Sequence, residues 1–173
     1  RLSIILGVCS IAFLAPLNSW AATCGPKTIA AGYFSTCAKT TSGGIKCWGF
    51  NNYGQLGDGT TTNRTSPVDV SGLTSGIDNI DTAFDTSCAV TSSGALKCWG
   101  YNHVGQLGDG TTTERHTPVS VSGLASGVQS VSVGDAVTCA VTTSGAAKCW
   151  GMNSSGQVGD GTTTNRTTPV SVS

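Results

Sequence analysis

The chain has 173 residues, with nine Lys+Arg balancing nine Asp+Glu and only 10% of residues charged. A neutral chain has no electrostatic footprint for nucleic acid or for an anionic membrane surface, and 38% apolar residues argue against a disordered polymer. Eight cysteines argue against an ordinary cytosolic protein, unless they bind metal.

Residues 2–17 form an apolar run behind Arg1, broken by Pro16 and followed by the small-x-Ala site Ser19-Trp20-Ala21. That layout predicts a secretory signal peptide over 1–21, with a mature chain starting near Ala22. The run is too short, and too interrupted, for a spanning helix of about 20 apolar residues, so no membrane association is expected after cleavage. Val8 before Cys9 and Thr23 before Cys24 are poor lipoprotein cleavage sites. A short segment, 22–28, leads into the rest. Because the sequence starts at Arg1 and stops at Ser173 inside a pattern, it reads as a fragment.

From residue 29 the chain repeats itself every 51 residues. Cys37, Cys88 and Cys139 keep that spacing, as do Cys47, Cys98 and Cys149, each of the latter in Cys-Trp-Gly. Gly-Gln-Leu-Gly-Asp-Gly-Thr-Thr-Thr runs over 54–62 and 105–113, and returns over 156–164 with Val158 for Leu. The units are 29–79, 80–130 and a truncated 131–173. Each reads as four short strands, exemplified by Ile29–Gly32, Thr36–Thr40, Ile45–Gly49 and Pro67–Ser71. The fold class expected is all-β, with four-stranded antiparallel units stacked as a propeller or solenoid.

The hairpin between the second and third strands fixes a register. Thr91 and Ala95 flank Ser92-Ser93-Gly94, and a three-residue loop favours positive φ at its last residue, which glycine supplies. Gly43 and Gly145 occupy the same place. Counting back from that turn sets Cys88 opposite Cys98, Cys37 opposite Cys47 and Cys139 opposite Cys149. Three cross-strand disulfides are therefore expected, each closing a loop of about 11 residues and stabilising by roughly 2–3 kcal/mol. Zinc needs four ligands, and two cysteines per unit with two histidines in the whole chain do not supply them. No metal or cofactor is expected. Cys24 is left over, and its partner is expected in a missing C-terminal part.

The run Cys-Trp-Gly-x-Asn-x-x-Gly-Gln-Leu-Gly-Asp-Gly, nearly unchanged in three copies, resembles the regulator of chromosome condensation repeat over essentially all of 29–173. The resemblance implies a seven-bladed β-propeller, which on this period would need about 357 residues. The intact protein is expected to be monomeric. The family's founding member is a nuclear exchange factor for a small GTPase. The leader, the zero net charge and the cysteines argue against carrying that activity over. Secreted bacterial relatives include an inhibitor of β-lactamases, so the resemblance favours protein binding. The family often carries histidine where this chain has Ser35, Thr86 and Val137.

Several repeated residues have a structural and a functional reading. Asp58, Asp109 and Asp160 are read as turn residues satisfying backbone donors, in preference to calcium ligands. Arg64, Arg115 and Arg166 are expected to pair with them. Trp48, Trp99 and Trp150 are read as packing between units, in preference to sugar stacking. The stems of Lys46, Lys97 and Lys148 are expected to cover apolar surface. His103 and His116 stand in different units, and no catalytic constellation is visible, so no enzyme is expected.

The units differ most at Tyr33-Phe34-Ser35 and Phe50-Asn51-Asn52-Tyr53, and at their equivalents. Such loops either bind partners or drift freely. The binding reading selects Tyr33, Phe34, Tyr53, Phe84, Asp85, Tyr101 and His103 as contacts for an unidentified protein. The function expected is thus a secreted protein-binding module without catalysis. The alternatives are a carbohydrate-binding or cell-surface module, and the targeting part of a larger secreted enzyme.

Overall fold

The computed structural model describes residues 29–173. The leader, Cys9 and Cys24 lie outside them. The described residues contain twelve strands and no helix, so none of them forms a helix long and apolar enough to cross a membrane.

Three four-stranded antiparallel sheets follow one another in chain order. The first holds β1 (Ile29–Ala31), β2 (Ser35–Lys39), β3 (Ile45–Gly49) and β4 (Arg64–Asp69). The second holds β5 (Ile77–Ala83), β6 (Thr86–Thr91), β7 (Leu96–Gly100) and β8 (Arg115–Ser120). The third holds β9 (Val128–Val133), β10 (Val137–Thr142), β11 (Ala147–Gly151) and β12 (Arg166–Ser171). Each sheet runs in simple up-and-down order.

The first strands of the second and third units, expected one and two periods after Ile29 at Ile80 and Val131, and the fourth strands of all three units begin earlier than expected. β5 begins at Ile77 rather than Ile80, because Ile77 is buried and a register shift at Ile77/Asn79 keeps it paired. β4 begins at Arg64 rather than Pro67, because Arg64 pairs with Gly49 across another register shift.

The hairpin register is the one the turn dictates. Gly94 has φ of 77°, Thr91 and Ala95 close the turn, and Cys88 stands opposite Cys98. Counting from the hydrogen-bonded Thr91/Ala95 pair makes Cys88/Cys98 a non-hydrogen-bonded pair, the position where opposed strands come closest. Their Cα atoms lie 4.1 Å apart and the two sulfurs are bonded. Cys37–Cys47 and Cys139–Cys149 are bonded in the same way.

The apolar core lies between consecutive sheets. Ile45, Leu56, Val70 and Leu73 pack against Ile77, Ile80 and Trp99. Val90, Leu96, Leu107 and Leu124 pack against Val128, Val131 and Trp150. β5 sits against β1 and β2, and β9 sits against β5 and β6. The middle sheet is therefore covered on both faces, and β6 is buried along almost its whole length. β2 belongs to a sheet with a described sheet on one face only, and its burial alternates over its first four residues. Asp81 ties the two inner strands together, its Oδ2 accepting from the Val133 N–H at 2.9 Å.

Candidate functional site

All connections from the first to the second strand, and from the third to the fourth, emerge at one end of the sheets. These are 32–34 and 50–63, 84–85 and 101–114, and 134–136 and 152–165. The stretches that differ most between units therefore share one face.

The long loops are held by one repeated device. Asn51 is fully buried. Its Nδ2 donates to the carbonyls of Thr60 and Thr62 at 3.0 and 3.1 Å, and its Oδ1 accepts from the Leu56 N–H at 2.9 Å. Asn102 and Asn153 repeat those bonds. Asp58 Oδ1 accepts from the Thr60 N–H and hydroxyl, while its Oδ2 accepts from Arg64 Nε at 2.8 Å. The Asp109–Arg115 and Asp160–Arg166 pairs match it. Both oxygens of each aspartate are thus engaged in turn and ion-pair bonds, as the turn reading requires.

These bonds set the titration. Burial pushes Asp58 up, but the hydrogen bonds from Thr60 and Arg64 outweigh it and hold the carboxyl below its usual value. Asp109 behaves alike. The Thr162 hydroxyl bond leads in lowering Asp160 to about 2. A depressed native pKa contributes stability that is complete above the unfolded value near about 4 and is lost as pH falls through the native value. The thermal midpoint is therefore expected to fall steadily from about pH 4 to about pH 2. Asp58→Asn should flatten that slope, and an unchanged slope would refute the assignment.

At each boundary between described units one buried carbonyl accepts two bonds from the next unit. Gln55 O accepts from Trp99 Nε1 and from Ser87 Oγ, both at 2.9 Å. Gln106 O accepts from Trp150 Nε1 and Thr138 Oγ1, again at 2.9 Å. Trp99 and Trp150 have 0% exposure, so they pack between units and offer no ring to a sugar. Trp48, with no described sheet ahead of it, is half-buried. Lys46 reaches Asp69 at 2.8 Å, and Lys97 and Lys148 reach the hydroxyls of Ser120 and Ser171.

Above this frame the aromatic side chains form a continuous strip. Tyr33 stacks on Phe84 across the boundary between sheets, with centroids 5.0 Å apart and planes within 3°. Phe34 meets Tyr33 edge-on at 4.3 Å. Phe50 links Phe34 to Tyr53, Tyr53 leans on Tyr101 at 4.8 Å, and Tyr101 faces His103. Tyr33, Phe34 and Phe84 are 65%, 62% and 42% exposed. The six ring residues expected as contacts thus lie in one strip. Phe50 completes it and was not among them, although it sits in one of the same variable stretches. Phe84 has φ of 44°, and is the one non-glycine residue with positive φ among the described residues. A bulky residue in that region is strained.

Asp85 lies beside the strip. Gln55 Nε2 donates to its Oδ1 at 2.6 Å. Burial pushes the carboxyl up, the Gln55 bond opposes that, and repulsion from Asp135 adds to it. In the next unit Ala136 occupies the equivalent place. The backbone there is unchanged, since Tyr101 N donates to Asp85 O and Met152 N to Ala136 O, both at 2.8 Å. Gln106 Nε2 consequently has no partner although buried. Ala136→Asn restores an acceptor without adding a charge beside Asp135. It is expected to stabilise by about 1 kcal/mol, read as a higher urea midpoint. No shift would mean that the amide gains nothing from the acceptor. Asp135, Ala136, Val137, Met152 and Gln157 line a shallow depression of about 250 Å³ on the same face.

Family models described as the regulator of chromosome condensation (RCC1) repeat match residues 42–96 and 93–141, and a second model of that repeat matches 27–55 and 128–157. The ultraviolet-B receptor UVR8 of Arabidopsis thaliana is 34% identical over 149 residues, covering 84% of this chain and 34% of that protein. The human E3 ubiquitin-protein ligase HERC2 is 34% identical over 139 residues, covering 79% of this chain and 3% of that protein. The chain therefore spans about a third or less of these relatives. Among solved structures, human WBSCR16 aligns with a TM-score of 0.73 at 24% identity, over 83% of this chain and 36% of that one. Prp20p of Saccharomyces cerevisiae, described with its binding to Gsp1p and histones, aligns at 0.71 and 20% identity, over 86% and 38%. The three stacked four-stranded sheets are thus β-propeller blades, and the chain belongs to the regulator of chromosome condensation (RCC1) repeat family.

Proposed function

We propose that the chain is a secreted protein-binding module that works by displaying variable loops on a rigid propeller frame, without catalysis of its own. The observation that carries this reading is the aromatic strip from Phe34 to His103, which crosses two units on one face and is most exposed at Tyr33, Phe34 and Phe84. Exposed large aromatics gathered into one patch are rare on a surface that meets only water, and aromatic anchors dominate protein interfaces. The bonds that fix each loop repeat in all three units, while the side chains presented above them change. That separation lets a constant frame carry a specific contact surface.

Secretion rests on the leader-like residues 1–21 and on three disulfides, which suit an oxidising compartment. The binding test is recovery of protein partners from the extracellular fraction with the natural chain and with a Tyr33→Ala, Phe34→Ala, Phe84→Ala variant. A partner retained by the first and lost by the second is the expected result. Equal recovery by both would remove the strip from the function. N-terminal sequencing of the secreted protein should begin near Ala22.

A further inference from the structure

Among the described residues the lysines stand at the end of the sheets opposite the aromatic strip. The six loops that carry the strip and its equivalents, 32–35, 50–55, 83–86, 101–106, 134–137 and 152–157, contain Asp85 and Asp135 and no lysine or arginine. The three arginines at the start of β4, β8 and β12 are each committed to an aspartate of their own loop. Glu114, on the same side, lies 4.0 Å from His116 Nε2. The lysines of the described residues stand toward the opposite end, Lys39 closing β2 and Lys46, Lys97 and Lys148 opening β3, β7 and β11. Among the described residues the aromatic face therefore has acids without an ion-pair partner, His103, and no lysine or uncommitted arginine, although the chain as a whole is neutral.

Aromatic ring faces carry negative potential and attract cations. Tyr33 and Phe84 stack and both remain exposed, and the residue after Phe84 is Asp85. Gln55 holds that carboxylate in place through Oδ1. Repulsion between Asp85 and Asp135 is a tension that a positive charge would relieve. The positive φ of Phe84, one residue before Asp85, holds its backbone at a conformational cost.

We infer that this face takes a cationic segment of its protein partner, with an arginine or lysine side chain laid on the Tyr33–Phe84 pair and directed toward Asp85. The inference rests on the protein-binding reading above and adds the chemistry of what is bound. Guanidinium suits the site best, because a planar cation can lie on a ring and donate to a carboxylate at once.

The probe is a capped peptide, Gly-Ser-Arg-Gly-Arg-Ser-Gly, titrated to millimolar concentration into the full chain at low salt. Its counterpart carries citrulline in place of both arginines, which keeps the shape and removes the charge. The arginine peptide is expected to bind about tenfold more tightly than the citrulline peptide, with saturable shifts of the Tyr33 and Phe84 ring resonances. Asp85→Asn keeps an acceptor for Gln55 and should weaken the arginine peptide about fivefold. Phe84→Gly removes the ring and suits a positive φ, so it should fold and weaken that peptide by about the same factor.

Equal binding of the two peptides, both weakened by Phe84→Gly, overturns the cationic inference and leaves the binding face standing. Binding indifferent to both substitutions overturns the inference by placing the contact elsewhere. Absence of saturable binding by the arginine peptide also overturns it. The loss of a recovered partner on ring truncation would in that case still uphold the face.

Discussion

Asn102→Asp is expected to cost about 3–5 kcal/mol of stability, a loss out of proportion to exchanging one amino group for one oxygen. The amide is fully buried. It donates to the carbonyls of Thr111 and Thr113 at 3.1 and 3.0 Å and leans on Asp109 Oδ1 at 3.3 Å. A carboxylate has no proton for either carbonyl, and it would bring a second negative charge against Asp109. Ionised, it faces repulsion from three oxygens. Protonated, it satisfies at most one of them. The measurement is a urea titration followed by circular dichroism. A loss under about 1 kcal/mol would show that the 101–114 loop does not depend on this residue.

The second large effect is expected at the boundary between sheets. Trp99→Ala should cost about 3–5 kcal/mol, because it opens a cavity between the first two sheets and removes one donor from Gln55 O. Trp99→Phe keeps most of the apolar contact and loses only the indole N–H. Ser87 still donates to Gln55 O, so about 1 kcal/mol is the expected cost. The ratio of the two separates packing from hydrogen bonding. Equal losses would assign the whole effect to the bond, and a small loss in Trp99→Ala would mean that the sheets are not coupled through this ring.

The repeat made much of this architecture legible before any coordinates. A fixed spacing, a three-residue turn ending in glycine and the period of two along a strand are local facts. Together they set Cys88 opposite Cys98 with no tertiary information. Burial of Trp99 and Trp150 followed from their place in the repeat. What could not be read was of longer range. Nothing local indicates that Gln55 Nε2 finds Asp85 thirty residues later, or that Gln106 is left without that partner because Ala136 stands there. Phe84 looks like an ordinary aromatic, and its positive φ emerges only when the turn between β5 and β6 closes. The strip itself was legible as a set of variable loop residues, but its continuity depends on Phe50 bridging Phe34 and Tyr53. That bridge is a matter of loop path, which the motif leaves open.

The latch at Gln55 and Gln106 joins each sheet only to its neighbour, so the chain resembles a row of beads more than a single knot. Pulled from its two ends, such a row should come apart one sheet at a time. With its bridge intact a full 51-residue unit would yield about 140 Å of thread, because the disulfide withholds a short loop from it; after reduction the same unit would yield about 175 Å. A module of this build can give way in measured lengths under tension, and a thiol in its surroundings would set how long each length is.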